Sequence, residues 1–388
     1  MRNEDIDLGL AELTRLAASC LRAGPAGGLF ERELDVDAPL AGLGLEPEAL
    51  DAARRRLAGL LDLPAHAASA LEAAPTLAGL AEVLNRCWTR QRVVFQTSGS
   101  TGEPKALPQP YALLAQESAA LARLFAGRRR VVLLVPAQHI YGFLFGLMLP
   151  RALCVPALDL APLPTAAFIR ALTPGDLVVA FPLFWKKAAE AGLAFPDDVC
   201  AATSTGPCPA GVIRDLRRQG LARMTEIYGS SETGGVGFRH DPDAPYGLHG
   251  FWRRAGGGLI RLLPGGGESA VFELPDHLDW PAPDRFRPAA RRDAAVQVAG
   301  VNVFPGRVAE ALGKHPAVAA CAVRLMRPEE GDRLKAFVVL KPGVEPSAEL
   351  TSGLTAWLAE RFRPPERPRS ITYGPALPQT TLGKPADW

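Results

Sequence analysis

Thr97-Ser98-Gly99-Ser100-Thr101-Gly102-Glu103-Pro104-Lys105 follows directly on a short β-type run, Val93–Gln96. Gly99 and Gly102 permit tight turns, so successive backbone N–H groups can face a polyphosphate. Ser98, Ser100 and Thr101 add hydroxyl donors, and Lys105 adds a cation. The spacing is not that of a Walker loop, in which lysine directly follows the last glycine. A flexible surface loop is the competing reading, but a hydroxyl–glycine–lysine string this dense after a strand is uncommon in linkers.

Working outward, residues 1–90 read as helices. Apolar residues recur at helical spacing over Glu4–Leu21, Glu46–Leu63 and Leu77–Trp88. Beyond the loop, Pro110–Ala126 reads as a helix, and Val131–Val135 and Leu177–Ala180 read as buried strands. Such alternation predicts an α/β core with a largely buried sheet. Residues 240–290 are rich in Gly, Pro and short β-type runs, as in a small barrel or distorted sheet. From 293 the runs Val296–Val298, Arg307–Lys314, Val318–Leu325, Ala336–Leu340 and Ala348–Phe362 alternate strand and helix. The expected domains are therefore 1–90, a helical segment; 91–292, the core; and 293–388, a small α+β unit.

With 388 residues and 48% hydrophobic content, the chain can bury more than one core. A net charge of +2 and the lack of a basic–aromatic patch argue against nucleic acid. No apolar run is long enough to span a bilayer, and the acidic N-terminus is unlike a signal peptide. Six scattered cysteines without a CxxC pair point away from disulfides and zinc and towards a cytoplasmic location.

Several motifs, in order, carry a resemblance. The Thr97–Lys105 loop resembles the phosphate loop of the adenylate-forming superfamily, which includes acyl- and aryl-CoA ligases, peptide-synthetase adenylation domains and luciferases. Thr225-Glu-Ile-Tyr-Gly-Ser-Ser-Glu-Thr-Gly234 resembles its second nucleotide motif. The resemblance implies that Tyr228 packs on adenine, Ser231 contacts the α-phosphate and Glu232 holds magnesium. Phe286-Arg-Pro-Ala-Ala-Arg-Arg-Asp293 resembles the family's Gly-Arg-x-Asp segment, with Ala290 in place of glycine. It implies that Asp276 and Arg291 hold the ribose hydroxyls, although Leu274-Pro275 replaces the usual Thr-Gly before the aspartate. A solvated loop aspartate is the competing reading of Asp276. Val296–Pro305 resembles the hairpin that lines the thiol tunnel, with Gly300 beside the pantetheine arm and Asp293 as the hinge. Leu377-Pro-Gln-Thr-Thr-Leu-Gly-Lys384 resembles the terminal motif whose lysine serves adenylation, so Lys384, Lys105 and Glu232 are the expected catalytic residues. The implied fold is a truncated adenylate-forming large domain followed by a small mobile α+β domain, and the implied cofactors are ATP and magnesium.

For the acid pocket the same resemblance singles out His139, Tyr141, Gly142, Trp185, Ser204, Gly229, Ser230 and Gly235, and it brings Thr205-Gly206 to the adenine edge. A buried structural histidine competes for His139. The aromatic character suits a small planar acid of the hydroxybenzoate type. The stretches Leu34–Leu45 and Leu71–Glu82 resemble a degenerate acyl carrier protein, with Pro47 where the pantetheine serine would stand. An ordinary helical cap, with Pro47 opening a helix, explains them equally. The whole chain resembles short stand-alone ligases of aryl polyene or xanthomonadin-type pigment and siderophore pathways. The expected reaction is acyl-AMP formation and transfer to a holo acyl carrier protein. Transfer to free coenzyme A and a non-catalytic binding module are the alternatives.

Overall fold

The computed structural model describes residues 6–23, 35–98, 104–160, 163–274, 276–291, 295–298, 301–327, 330–331, 333–378 and 387–388. Contacts divide it into two units: 1–274 with 279–287, and 275–278 with 288–388. Among the described residues no helix is long and apolar enough to cross a membrane.

The first unit begins with helices α1 (Leu10–Arg22), α2 (Pro47–Leu60), α3 (Ala67–Ala73) and α4 (Leu77–Cys87). Pro47 stands in the first turn of α2, where a missing N–H costs nothing. The Thr76 hydroxyl caps α4 by accepting from Gly79 N at 3.0 Å. Leu13, Leu16, Leu57, Leu80 and Leu84 share one core with Phe95, Tyr111 and Phe143, so these helices are not a separate unit.

Strands β1 (Arg92–Ser98) and β2 (Pro104–Pro110) form an antiparallel hairpin in which Thr97 faces Lys105 and Ser98 faces Pro104. The connecting residues 99–103, including Gly99, Ser100, Thr101 and Gly102, lie outside the described residues. α5 (Tyr111–Leu124) follows.

The central sheet is built on β3 (Arg130–Leu133), β4 (Ala157–Asp159), β5 (Asp176–Ala180), β6 (Cys200–Thr203) and β7 (Arg223–Ser230), all parallel in the order β4-β3-β5-β6-β7. Antiparallel β8 (Gly234–Arg239) and β9 (Tyr246–Leu248) extend it beyond β7. The hairpin β10 (Trp252–Ala255) and β11 (Gly258–Arg261) stands apart, and β12 (Asp276–Ala282) and β13 (Arg285–Arg291) complete the nine-stranded sheet. Both faces of the parallel part are covered. Val131, Leu133, Leu177 and Val179 point into the core shared with α1–α5. Val132, Leu134, Val178 and Ala180 point into a second core with Phe168, Phe184 and Trp185. The covering helices are α6 (Ile140–Phe143), running through a π turn (Leu144–Met148) into α7 (Leu149–Leu153), then α8 (Ala166–Ala171), α9 (Pro182–Glu190) and α10 (Ala210–Arg218). Asp176, fully buried, accepts from Arg130 Nε at 2.9 Å and from Thr173 N at 2.7 Å, so its charge is paired where β5 begins.

The second unit has its own core. Hairpin β14 (Val296–Val298) and β15 (Val301–Val303) leads into α11 (Pro305–Gly313). β16 (Val318–Leu325), β17 (Leu334–Leu340) and β18 (Ser370–Tyr373) form one sheet, backed by α12 (Ala348–Ala359). Lys335 is buried on β17, and its ammonium donates to Glu330 at 2.8 Å and to the Trp388 carbonyl at 2.6 Å.

Candidate active site

Parallel strands open a crevice beyond their carboxyl ends, and ligands favour the point where the strand order reverses. Here β4 lies on one side of β3 and β5 on the other, so the reversal falls at β3. The segments that leave these ends are the ones singled out from the sequence. His139, Tyr141 and Gly142 follow β3, Ser204, Thr205 and Gly206 follow β6, and Gly229 and Ser230 end β7.

Gly142 sits tight against the chain. An added Cβ would lie 2.0 Å from the Pro136 carbonyl oxygen, which only glycine avoids. The buried Tyr141 hydroxyl donates to the Ala180 carbonyl at 3.3 Å, and burial pushes its ionisation well above the phenol range. His139 keeps solvent access, yet the protein around it and the Arg56 cation lower its pKa, which favours the neutral ring. Trp185 is differently placed. It packs at 5.1 Å from Phe184 in the core on the opposite face from Tyr141, with no exposed surface. In this arrangement the two aromatics do not line one pocket.

Ser204 Oγ donates to the Ile227 carbonyl at 3.0 Å and ties the end of β6 to β7. Thr205 has φ of 77°, a left-handed conformation that a β-branched residue adopts at a cost of roughly 1–3 kcal/mol. Strain of this kind concentrates at functional strand ends. Tyr228 is half-buried, its ring centroid 5.2 Å from Phe286 and 5.8 Å from Tyr246.

The turn between β7 and β8 is closed by its own hydroxyls. Ser230 N donates to Thr233 Oγ1 at 3.2 Å, and Thr233 N donates to Ser230 Oγ at 3.3 Å. This leaves Ser231 half-buried and the Glu232 carboxylate in solvent. Behind the turn lies a buried polar layer that the sequence reading missed. Gln109 donates to the Ser231 and Glu232 carbonyls, Arg261 donates to the Thr233 carbonyl, and Glu117 accepts from Gly235 N at 2.8 Å. Burial raises the Glu117 pKa against the opposing pull of Arg261 and the Gly235 N–H. Burial, with Arg261 and Arg123, pushes His249 down to about 4, so its ring is neutral. One signal for this layer was available. Glu117 falls on the apolar stripe of α5, in line with Leu114 and Leu121.

Lys105 is exposed on β2, opposite Thr97. Thr97 and Ser98 belong to β1. Asp276 opens β12 and is half-buried, and Arg291 ends β13; both belong to the second unit, whereas Tyr228, Ser231 and Glu232 belong to the first. Asp293, Gly300 and Lys384 lie outside the described residues.

The AMP-binding enzyme C-terminal domain family matches residues 307–384. The chain is 40% identical over 301 residues to a 4-coumarate–CoA ligase of Rhodobacter capsulatus, covering 76% of this chain and 75% of the relative. It is 36% identical over 292 residues to a 4-coumarate–CoA ligase of Halorhodospira halophila, covering 75% and 74%. Among solved structures it resembles an amide bond synthetase from Marinactinospora thermotolerans, with a TM-score of 0.63 at 18% identity over 97% of this chain and 92% of that one. It also resembles an o-succinylbenzoate CoA synthetase from Bacillus subtilis, with a TM-score of 0.59 at 19% identity over 76% and 67%. At these identities the two structures speak to the fold alone.

Proposed function

The chain belongs to the adenylate-forming acid–thiol ligases, which use ATP, and from that premise we propose that it activates a small aromatic carboxylic acid as an acyl-AMP and transfers the acyl group to coenzyme A. The observation that supports the site is that the segments after β3, β6 and β7 all leave the carboxyl end of the parallel strands. The two 4-coumarate–CoA ligase relatives support both the aromatic acid and the free thiol.

In the first step a substrate carboxylate oxygen attacks the α-phosphorus of ATP and pyrophosphate leaves. The carboxylate is already ionised at neutral pH, so no general base is needed. The difficulty is to align two anions. Tyr228 and the Thr205-Gly206 strand end would hold adenine, Asp276 and Arg291 the ribose, and Ser231 the α-phosphate. Lys105, the Thr97–Gly102 loop and Lys384 would balance the phosphate charge. A magnesium ion on Glu232 would add to that balance. One solvent-facing carboxylate together with the triphosphate oxygens is a donor set this ion accepts. His139, Tyr141, Gly142, Ser204, Gly229, Ser230 and Gly235 would border the acid. In the second step the thiolate attacks the acyl carbon and AMP leaves. For this the small domain would turn about Asp293, exchanging Lys384 for the hairpin that carries Gly300.

A holo acyl carrier protein is the second reading of the acceptor. It is favoured by the helix order of α1–α4, long, long, short, long, with Pro47 where an attachment serine would stand.

The test is pyrophosphate exchange with 4-coumarate, 4-hydroxybenzoate, benzoate and hexanoate, followed by acyl transfer to coenzyme A or a holo-carrier at two ionic strengths. Exchange with an aromatic acid and a higher kcat/KM for coenzyme A are expected. Exchange with hexanoate alone overturns the aromatic substrate. A higher, salt-sensitive kcat/KM for the carrier overturns the choice of thiol. Nucleotide binding without exchange for any acid makes the chain a binding module.

A further inference from the structure

Ser231 and Glu232 owe the placement of their backbone to a residue outside their own turn. Gln109 is 6% exposed, and its amide nitrogen donates to the Ser231 carbonyl at 2.6 Å and to the Glu232 carbonyl at 2.9 Å. A side-chain amide has two N–H donors, one for each carbonyl.

Gln109 stands on β2, the strand that leaves the Thr97–Lys105 loop. Lys105, Leu107 and Gln109 alternate on one face of that strand, which puts Lys105 and Gln109 about 13 Å apart along it. A single short strand thus carries the loop lysine at one end and the anchor of the Glu232 turn at the other.

We propose that Gln109 is a positioning residue for nucleotide binding: its amide fixes the Ser231–Glu232 backbone and ties that turn to β2, the strand that carries Lys105. This rests on the reading of Ser231 and Glu232 as phosphate- and metal-facing residues. The next contacts hold the residues that follow. Arg261 holds the Thr233 carbonyl, and Glu117 holds Gly235 N. Gln109 reaches the carbonyls of the two residues that carry the polar side chains, so its loss should affect phosphate binding rather than adenine binding.

Full-length native, Gln109→Leu and Gln109→Glu chains would be titrated calorimetrically with adenosine and with magnesium α,β-methylene-ATP. Removing the amide from these part-buried carbonyls predicts that Gln109→Leu weakens the ATP analogue about tenfold or more, and adenosine less than about threefold. Equal weakening of both ligands, or no change in either, overturns the proposal. Gln109→Glu keeps the shape but presents an oxygen to each carbonyl, so at neutral pH it should bind the analogue no better than the leucine variant. As pH falls, the protonated carboxyl regains one donor and the gap to the native chain should narrow. A gap that stays constant with pH overturns the proposal even if the leucine variant fails to fold. Pyrophosphate exchange on the native chain is a separate readout. Its failure with every acid removes the adenylation reading and leaves the binding comparison standing.

Discussion

Glu232 presents its carboxylate to solvent at the tip of a turn whose backbone is held from behind. Glu232→Gln removes one anionic oxygen from a hard-cation site without disturbing that backbone. The magnesium concentration for half-maximal pyrophosphate exchange should rise about tenfold, with little change in thermal midpoint; an unchanged titration would show that the ion sits elsewhere. Lys384 gives a second test at this scale. Lys384→Ala should lower acyl-AMP formation by about a hundredfold or more, the scale of losing a preorganised charge at a transition state. Thioester formation from supplied acyl-AMP should survive. Equal loss of both half-reactions would make the lysine structural.

At the scale of elements, the segment after β3 depends on Gly142. Ala at this position would push a methyl into the Pro136 carbonyl, a backbone atom that cannot swing aside. Overpacking of this kind costs about 1–3 kcal/mol. Gly142→Ala should therefore lower the urea midpoint and raise the KM for the acid, because α6 carries Tyr141 and follows His139 directly. A lower midpoint with an unchanged KM would separate this helix from the acid site. The hairpin β1–β2 shows why one element was illegible. Pro104-Lys-Ala-Leu-Pro-Gln-Pro110 carries three prolines and reads as a break, and only β1 was visible. A two-stranded ribbon has an open edge on both strands, so prolines whose missing N–H faces outward are tolerated.

For the whole molecule, each unit has its own core, and the second holds an ion pair that makes it sensitive to acid. Lys335 and Arg327 donate to Glu330 and hold its pKa at about 2, against 4.5 for the free group. A depressed carboxylate pKa contributes stability that is complete above the unfolded value and fades as pH falls through the folded one. Between pH 4.5 and about 2 the second unit should thus lose stability, as read from tryptophan fluorescence in the full chain. Glu330→Gln should flatten that slope and lower stability at pH 7. A slope that persists in the variant would assign the acid sensitivity to other carboxylates. Asp387, which also pairs with Lys335, is the first to examine.

The sequence by itself determined the order of helices and strands and the local motifs. Helical spacing marked α1, α2 and α4, and Val318–Leu325 was legible as β16 residue for residue. These features depend on neighbours within a turn or two of chain, so a linear pattern contains them. Trp185 and Gln109 show what the tertiary structure alone decided. Trp185 stands between the motifs in sequence, but the packing of α9 places it in the core on the far face of the sheet. Gln109 looks like an ordinary polar residue between two prolines, and it becomes a buried anchor because β7 brings Ser231 and Glu232 against it from 122 and 123 residues away. Which face a side chain takes, and which distant carbonyl it meets, depends on strand order and register, and no local spacing encodes either.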